Sequence, residues 1–311
     1  MAEVRVAFAG FGAAGRAAAR ILRGWEGDPK LPQIRIVGIA TQSHGCVAVV
    51  HDDGAIDLGI CLERRGAGES LVGVAGTTAV GDVFAMLDSL QGRCDAVLEC
   101  VNASHEDAEP AVSILRYGLK MDPPCHVVTA SKPPVALCYA ELRELARRRG
   151  RRFLFESSVM DGCPVFCTLR QLPGLKITRI SGVLNSTTNI ILTQMEERGV
   201  SMQEALAEAQ AAGIAERDPS DDIDGRDAAA KLQVLAAVVW GAKPNTKNVT
   251  MESIRHVTPA MVSAARARGA ALRVVCSAER RHPNPNPNPN PNPNPNPNPN
   301  PNPNPNPNPN P

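Results

Sequence analysis

Residues 4–9, Val-Arg-Val-Ala-Phe-Ala, run without a break into Gly10-Phe11-Gly12-Ala13-Ala14-Gly15, and these into an Ala-, Arg- and Leu-rich stretch ending near Gly24. An apolar strand, a G-x-G-x-x-G turn and a helix in that order constrain this chain more than any other feature. The first glycine permits the tight turn, the second lets a pyrophosphate approach the backbone, and the third lets helix and strand pack closely. The helix start offers unpaired N–H groups and a partial positive charge to an anion. Gly10, Phe11, Gly12, Ala13, Ala14, Gly15 and Arg16 are therefore candidate cofactor-binding residues.

The strand–helix alternation continues. Ile34 to Ala40, Ala96 to Val101 and His126 to Ala130 read as buried strands, with helical periodicity at Gly81 to Leu90 and Glu106 to Tyr117. Residues 45–80 are Gly-rich and carry no clear period. Strands alternating with helices predict βαβ units around a parallel sheet, so the fold class is α/β with a Rossmann-type dinucleotide-binding domain. After Lys132-Pro133-Pro134 the pattern changes: helices are predicted at Leu142 to Arg149, Thr187 to Arg198, Met202 to Ala212, Arg226 to Trp240 and Pro259 to Arg268. Strands are predicted at Arg152 to Glu156, Ile177 to Leu184 and Ala271 to Ser277. This is an α+β substrate domain, and the boundary is placed at residue 135, giving domains 1–135 and 136–282.

From Pro283 to Pro311 the chain is an unbroken Pro-Asn repeat holding 15 of its 27 prolines. Proline removes backbone donors and pushes the preceding residue extended, and nothing in the repeat can join a core. A disordered tail is expected, leaving residues 1–282 to carry fold and function. Without the tail the apolar share rises from 43% to roughly 47%, ordinary for a globular domain.

Thirty-three basic against 32 acidic residues leave a formal charge of +1, and only ten residues are aromatic. Neither a nucleic-acid nor an anionic-membrane footprint is present in these totals. No apolar run reaches bilayer length and no basic leader with a cleavage site opens the chain, so a cytoplasmic protein is expected. The nine cysteines form no C-x-x-C pair and the six histidines show no metal-ligand spacing, which points to a reducing compartment. Cys163 and Cys167 could be two thiols on one helix face, but they read as buried apolar cysteines.

A carboxylate about 20 residues beyond the glycine turn would bind a ribose 2′-OH and repel a 2′-phosphate. Here strand two ends Ala40-Thr41-Gln42-Ser43-His44, and no Asp or Glu lies between Asp28 and Asp52. NADP(H) is thus favoured over NAD(H), with Thr41, Ser43, His44 and Arg16 at the adenosine end.

Six carboxylates fall in the twelve residues from Glu216 to Asp227, and Asp227 and Lys231 are four apart, on one helix face. The residues after them are apolar nearly all round, which predicts a buried helix and a shielded lysine suited to proton transfer. The carboxylates suit a substrate bearing an ammonium group. Asn185-Ser186-Thr187-Thr188-Asn189 reads equally well as a helix cap and as donors for a substrate carboxylate.

With these residues in view the chain resembles the homoserine dehydrogenase family. The resemblance rests on GFGAAGR at 10–16, HVVTASKPP at 126–134, ESSVMDGCPVF at 156–166, ISGVLNSTTNIILTQM at 180–195, EALAEAQAAGIAERDPSDDIDGRDAAAKL at 204–232 and VTPAMVSAARARG at 257–269. It resembles the family's short form, without a regulatory domain. The resemblance implies that Lys231 is the catalytic lysine, with Asp227 beside it and Lys132 near the nicotinamide and the reacting carbonyl. It implies substrate contacts from Glu216, Asp222 and Thr187, and a sodium ion on backbone carbonyls of Glu156, Val159 and Asp161. It further implies a homodimer that interconverts L-homoserine and L-aspartate 4-semialdehyde with NAD(P)(H), on the way to threonine and methionine.

Three departures from the family pattern stand out. Ser131 occupies a position where relatives often carry Asn. Gly118 to Cys125 is longer than the usual turn and is expected to bulge at the surface. After Arg280 relatives continue with further strands and a helix, where this chain enters the repeat. A C-terminally truncated member is therefore expected. The alternatives are an inactive remnant or faulty gene product that at most binds the dinucleotide, and another NAD(P)-dependent amino-acid or semialdehyde dehydrogenase.

Overall fold

The computed structural model describes residues 3–160, 162–243 and 249–280. The Pro-Asn repeat and Asp161 lie outside the described residues. Strand β1 (Val4–Ala9) is central and buried. It is flanked in parallel by β2 (Ile34–Ala40) and β5 (Ala96–Glu99), and β6 (His126–Thr129) and β7 (Phe153–Leu154) extend the parallel set. Between β1 and β2 lies α1 (Ala13–Arg23). The stretch without a sequence period forms β3 (Cys46–Val49), α2 (Leu58–Gly66) and β4 (Thr77–Val80), followed by α3 (Val83–Ser89). Strand β3 pairs antiparallel with both β2 and β4, so the sheet is mixed rather than wholly parallel. Its order, β4-β3-β2-β1-β5-β6-β7, reverses between β1 and β5, and at such a switch point the strand ends leave a ligand crevice.

Helix α4 (Ala111–Lys120) packs on β5 and β6. The expected bulge at residues 118–125 is corrected here: Gly118 to Lys120 complete this helix, and Leu119, Met121 and Cys125 are buried. A Cβ at Gly118 would lie 3.1 Å from Val97 and 3.2 Å from Val127, so glycine lets the helix end settle onto two strands. Helix α5 (Lys132–Arg148) begins ten residues earlier than expected. Pro133 and Pro134 occupy its first turn, where a missing N–H costs no helical bond. Residue 135 lies within this helix.

A 3-10 turn (Glu156–Ser158) leads to α6 (Val165–Arg170) and β8 (Arg179–Gly182). Then come α7 (Ser186–Arg198), α8 (Met202–Ala211), the short α9 (Ser220–Ile223), α10 (Arg226–Trp240), α11 (Pro259–Ala267) and β9 (Cys276–Glu279). Strands β8 and β9 pair antiparallel as a separate two-stranded sheet. Ile191, Leu192, Met195, Ala205, Ile223 and Val262 form one apolar cluster. A second joins Val135 and Ala136 of α5 to Phe155, Phe166, Leu184, Ala228, Val234 and Leu235. At about 1.5–3 kcal/mol for each large side chain buried, this second cluster fixes α10 against α5. Cys163 is exposed and Cys167 only half-buried, against the expected buried pair. Cys163 precedes α6, so the two thiols do not share a helix face.

Candidate active site

Each strand end at the switch point carries part of a crevice. Gly10 takes φ +103°, and a Cβ there would sit 2.5 Å from the carbonyl oxygen of Cys100. Only glycine allows the turn to pass so close to the end of β5. The Cys100 thiol lies 3.0 Å from the Gly10 carbonyl. Burial, and then the charge of Glu99, push that thiol up to about 12, so it stays protonated and donates. A Cβ at Gly12 would meet nothing within 4 Å. Helix α1 has neither a side-chain cap nor an acidic residue in its first turn. Free N–H groups beside open space suit a pyrophosphate. Phe11 is buried in the main core, and Arg16 donates to the Gly12 carbonyl at 3.2 Å.

Beyond β2, Thr41 ties the turn together by donating to the Gly45 carbonyl and accepting from the His44 N–H, both at 2.8 Å. Ser43 is exposed and its hydroxyl meets His44 Nδ1 at 2.7 Å. This turn contains no carboxylate.

Asp227 is the hub of the second half of the site. Its Oδ2 accepts from Lys231 at 2.8 Å and from the Asn185 amide at 3.0 Å, and Lys132 approaches Oδ1 at 3.4 Å. Burial pushes the Asp227 carboxyl up, but the bonds from Lys231 and Asn185 and the charges of Lys231 and Lys132 outweigh it. The result lies below the ordinary carboxylate value. Lys231 is shielded, with 15% of its side chain exposed, whereas Lys132 at 34% is more open. Helix α10 is only half-buried, with Ala228, Val234, Leu235 and Ala237 in the core, rather than the buried helix its composition suggests, but its lysine is shielded.

The two readings of residues 185–189 meet in Asn185. Its Oδ1 accepts from the Thr188 N–H at 2.8 Å and so caps α7. Its amide nitrogen donates to Asp222 at 2.6 Å and to Asp227. The sequence offers Asn185 as a cap or as a donor to a substrate carboxylate, and the bridge between two aspartates is a role it does not indicate. That bridge depends on the fold bringing α9 and α10 alongside. Thr187 is buried at the start of α7.

A cavity of about 520 Å³ is lined by Lys132, Asp227, Asp222, Glu216 and Asp218, with His105 from the loop after β5. Lys231 is not part of that lining and reaches it through Asp227. His105 is a residue not anticipated, since a lone loop histidine has no motif. Glu216 is exposed at the cavity wall. In the loop implied to hold sodium, the Glu156 carboxylate accepts from the N–H groups of Phe166 (2.8 Å) and Cys167 (3.1 Å) and pairs with Arg170. Only its backbone carbonyl is left for a cation, and Val159 is buried. Among the described residues no cluster of three or more His, Cys, Asp or Glu could hold a metal, and no helix is long and apolar enough to cross a membrane.

The chain is similar to known proteins along most of its length. The family model for homoserine dehydrogenase matches residues 164–297. The homoserine dehydrogenase of Methanocaldococcus jannaschii is 35% identical over 270 residues, covering 86% of this chain and 78% of that one. An NAD(+)-dependent homoserine dehydrogenase of Pseudomonas canavaninivorans is 34% identical over 287 residues, covering 90% and 78%. A hyperthermophilic archaeal homoserine dehydrogenase solved in complex with NADPH superposes with a TM-score of 0.72 at 29% identity, covering 90% and 79%.

Proposed function

Because the chain belongs to the homoserine dehydrogenase family of oxidoreductases, we propose that it interconverts L-homoserine and L-aspartate 4-semialdehyde, with Lys231, Asp227 and Lys132 as its catalytic group. The observation that carries this reading is the pair of ammonium groups held on Asp227 beside an acidic cavity. In the reducing direction a bound NAD(P)H would supply the hydride that reduces the aldehyde carbon. The carbonyl oxygen gains negative charge as its π bond breaks, and a lysine ammonium transfers a proton to it, leaving the alcohol. Asp227 holds both ammonium groups in place before the transfer. Glu216 and Asp222 bind the α-ammonium of the substrate, and Thr187, at the start of α7, binds the carboxylate. Residues 1–135 hold the dinucleotide and 136–282 the substrate.

We assign the cofactor as NADP(H) in preference to NAD(H). The turn Thr41 to Gly45 offers hydroxyls and the His44 imidazole where a carboxylate would repel a 2′-phosphate, and Arg16 adds a cation on α1. Relatives of both kinds exist, one named for NAD(+) and one solved with NADPH, so kcat/KM must be measured with each cofactor. A sodium ion, if bound, takes the backbone carbonyls of Glu156 and Val159, and no step depends on it. A cytoplasmic homodimer serving threonine and methionine synthesis completes the reading.

The test is oxidation of NADPH by the purified chain with L-aspartate 4-semialdehyde, and the reverse with L-homoserine. Turnover with this pair, and none with other amino-acid semialdehydes, is expected. A folded chain that binds NADPH but turns over neither substrate would overturn the reading.

A further inference from the structure

Glu99 ends the central strand β5 and is fully buried, yet it belongs to none of the groups assigned above. Its Oε1 accepts from the Val101 N–H and from the Ser131 hydroxyl, each at 2.8 Å. Its Oε2 accepts from the Thr129 hydroxyl. Thr129 Oγ1 in turn accepts from the Ser131 N–H at 3.0 Å. Burial raises the Glu99 carboxyl above the ordinary carboxylate value, although the bonds from Thr129, Val101 and Ser131 oppose that rise. An isolated buried carboxylate is costly, and this one sits in a site with three donors already aimed at it.

Those donors come from the exits of two neighbouring strands, β5 and β6. Val101 opens the loop that carries His105 to the cavity. Thr129 and Ser131 form the turn from β6 into α5, whose first residue is Lys132. Ser131 stands at the cap position of α5 but makes no side-chain cap bond. Its hydroxyl is committed to Glu99 instead. We propose that Glu99 is a positioning residue: by clamping the exits of β5 and β6 together it sets the start of α5, and so holds Lys132 on Asp227. Lys132 approaches Asp227 at 3.4 Å from a side chain that is one-third exposed, and Asp227 is its one ion-pair partner among the described residues. The inference rests on the functional reading above for the reaction it serves, but not for the geometry it asserts.

Two readouts separate the inference from that reading. The first needs no activity. Acetylation of Lys132 by a lysine reagent, followed by peptide mass spectrometry, should run about 3- to 10-fold faster in Glu99→Ala than in the wild type, in proportion to the lost placement. Glu99→Gln should restore the slow rate, because its amide oxygen accepts from Val101 and Ser131 while its N–H donates to Thr129. The second is kinetic. Glu99→Ala should lower kcat about 10- to 100-fold, the scale of a misplaced catalytic group, with the Kd for NADPH nearly unchanged. In a Lys132→Ala background the same substitution should cost almost nothing further, because the group it places is gone. Melting curves identify variants that do not fold, and Ser131→Ala, which removes one donor and keeps the carboxylate, substitutes for Glu99→Ala if that variant is unfolded. Unchanged Lys132 labelling in the folded variants, or additive losses in the double variant, would overturn the inference. An inactive wild type would overturn the functional reading, and the labelling result would still decide this one.

Discussion

Asp227 and Lys231 lie one turn apart on α10, and their side chains meet at 2.8 Å between Oδ2 and Nζ. The other oxygen of the same carboxylate faces Lys132 at 3.4 Å, so one acid governs two ammonium groups that come from distant parts of the chain. Removing Lys231 should therefore affect chemistry far more than cofactor binding. Lys231→Ala is expected to lower kcat by about 10²- to 10⁴-fold, the usual weight of a positioned acid or base. NADPH affinity, measured by fluorescence titration, should stay within about threefold, well under the 1.4 kcal/mol that separates tenfold steps. Retained turnover would remove Lys231 from the catalytic group.

The same carboxylate makes a pH-dependent contribution to stability. Asp227 is held below its ordinary value in the folded chain, so the folded state favours its ionised form. That contribution is complete above the unfolded value of about 3.9. It is lost as pH falls through the lower folded value. Between pH 5 and 8 it should be constant. Asp227→Asn should lower stability by about 1–3 kcal/mol at pH 7, the cost of a lost charge-assisted bond. The gap from wild type should narrow below about pH 4. Thermal melts of both proteins across that range check the sign, and a gap that widens in acid would contradict it.

The glycine turn separates folding from binding. Gly10 has φ +103° and a Cβ there would strike backbone at 2.5 Å, whereas a Cβ at Gly12 meets open space. Gly10→Ala should destabilise the chain by about 1–3 kcal/mol or more through strain at a special backbone position. Gly12→Ala should leave the melting temperature of the unliganded chain almost unchanged and still weaken NADPH binding tenfold or more, on the order of 1.4 kcal/mol, because its methyl takes space proposed for the pyrophosphate. Equal effects of the two substitutions on stability would count against this division.

How far the sequence carries the fold depends on whether each signal is local. The strand from Val4, the glycine turn and the i, i+4 spacing of Asp227 and Lys231 are local patterns, and each forms as read. Residues 45–80 are different. Strands β3 and β4 are four residues each, too short to show a period, and their partners lie in one another and in β2. Pro133-Pro134 suggests a break, yet at a helix start proline forfeits only N–H groups that have no intrahelical partner. At the site the same division holds. Glu216, Asp222 and Lys132, which the family resemblance names, line one cavity. Asn185 and Glu99 act through residues 30 to 42 positions away, and nothing in their immediate neighbours signals it.

Glu216 and Asp221 offer a test of whether the cavity binds its substrate by a specific contact or by its overall negative field. Both line the cavity and both are exposed. Asp221 is already paired with Arg226 at 3.1 Å, while the Glu216 side chain is proposed to receive the α-ammonium. An exposed ion pair contributes little, about 0–1 kcal/mol, so Asp221→Asn should change KM for the semialdehyde by less than about threefold. Glu216→Gln should raise it about tenfold or more, the weight of one charge-assisted bond. Added salt screens a diffuse field within a Debye length of roughly 8–10 Å and acts far less on a contact pair shielded by bound substrate. The Glu216 effect should therefore persist at 0.5 M salt, a strength chosen to be roughly fivefold above the 0.1 M reference of that screening scale. Equal effects of the two substitutions, both erased by salt, would mean that the carboxylates act as a field and that Glu216 holds no privileged contact.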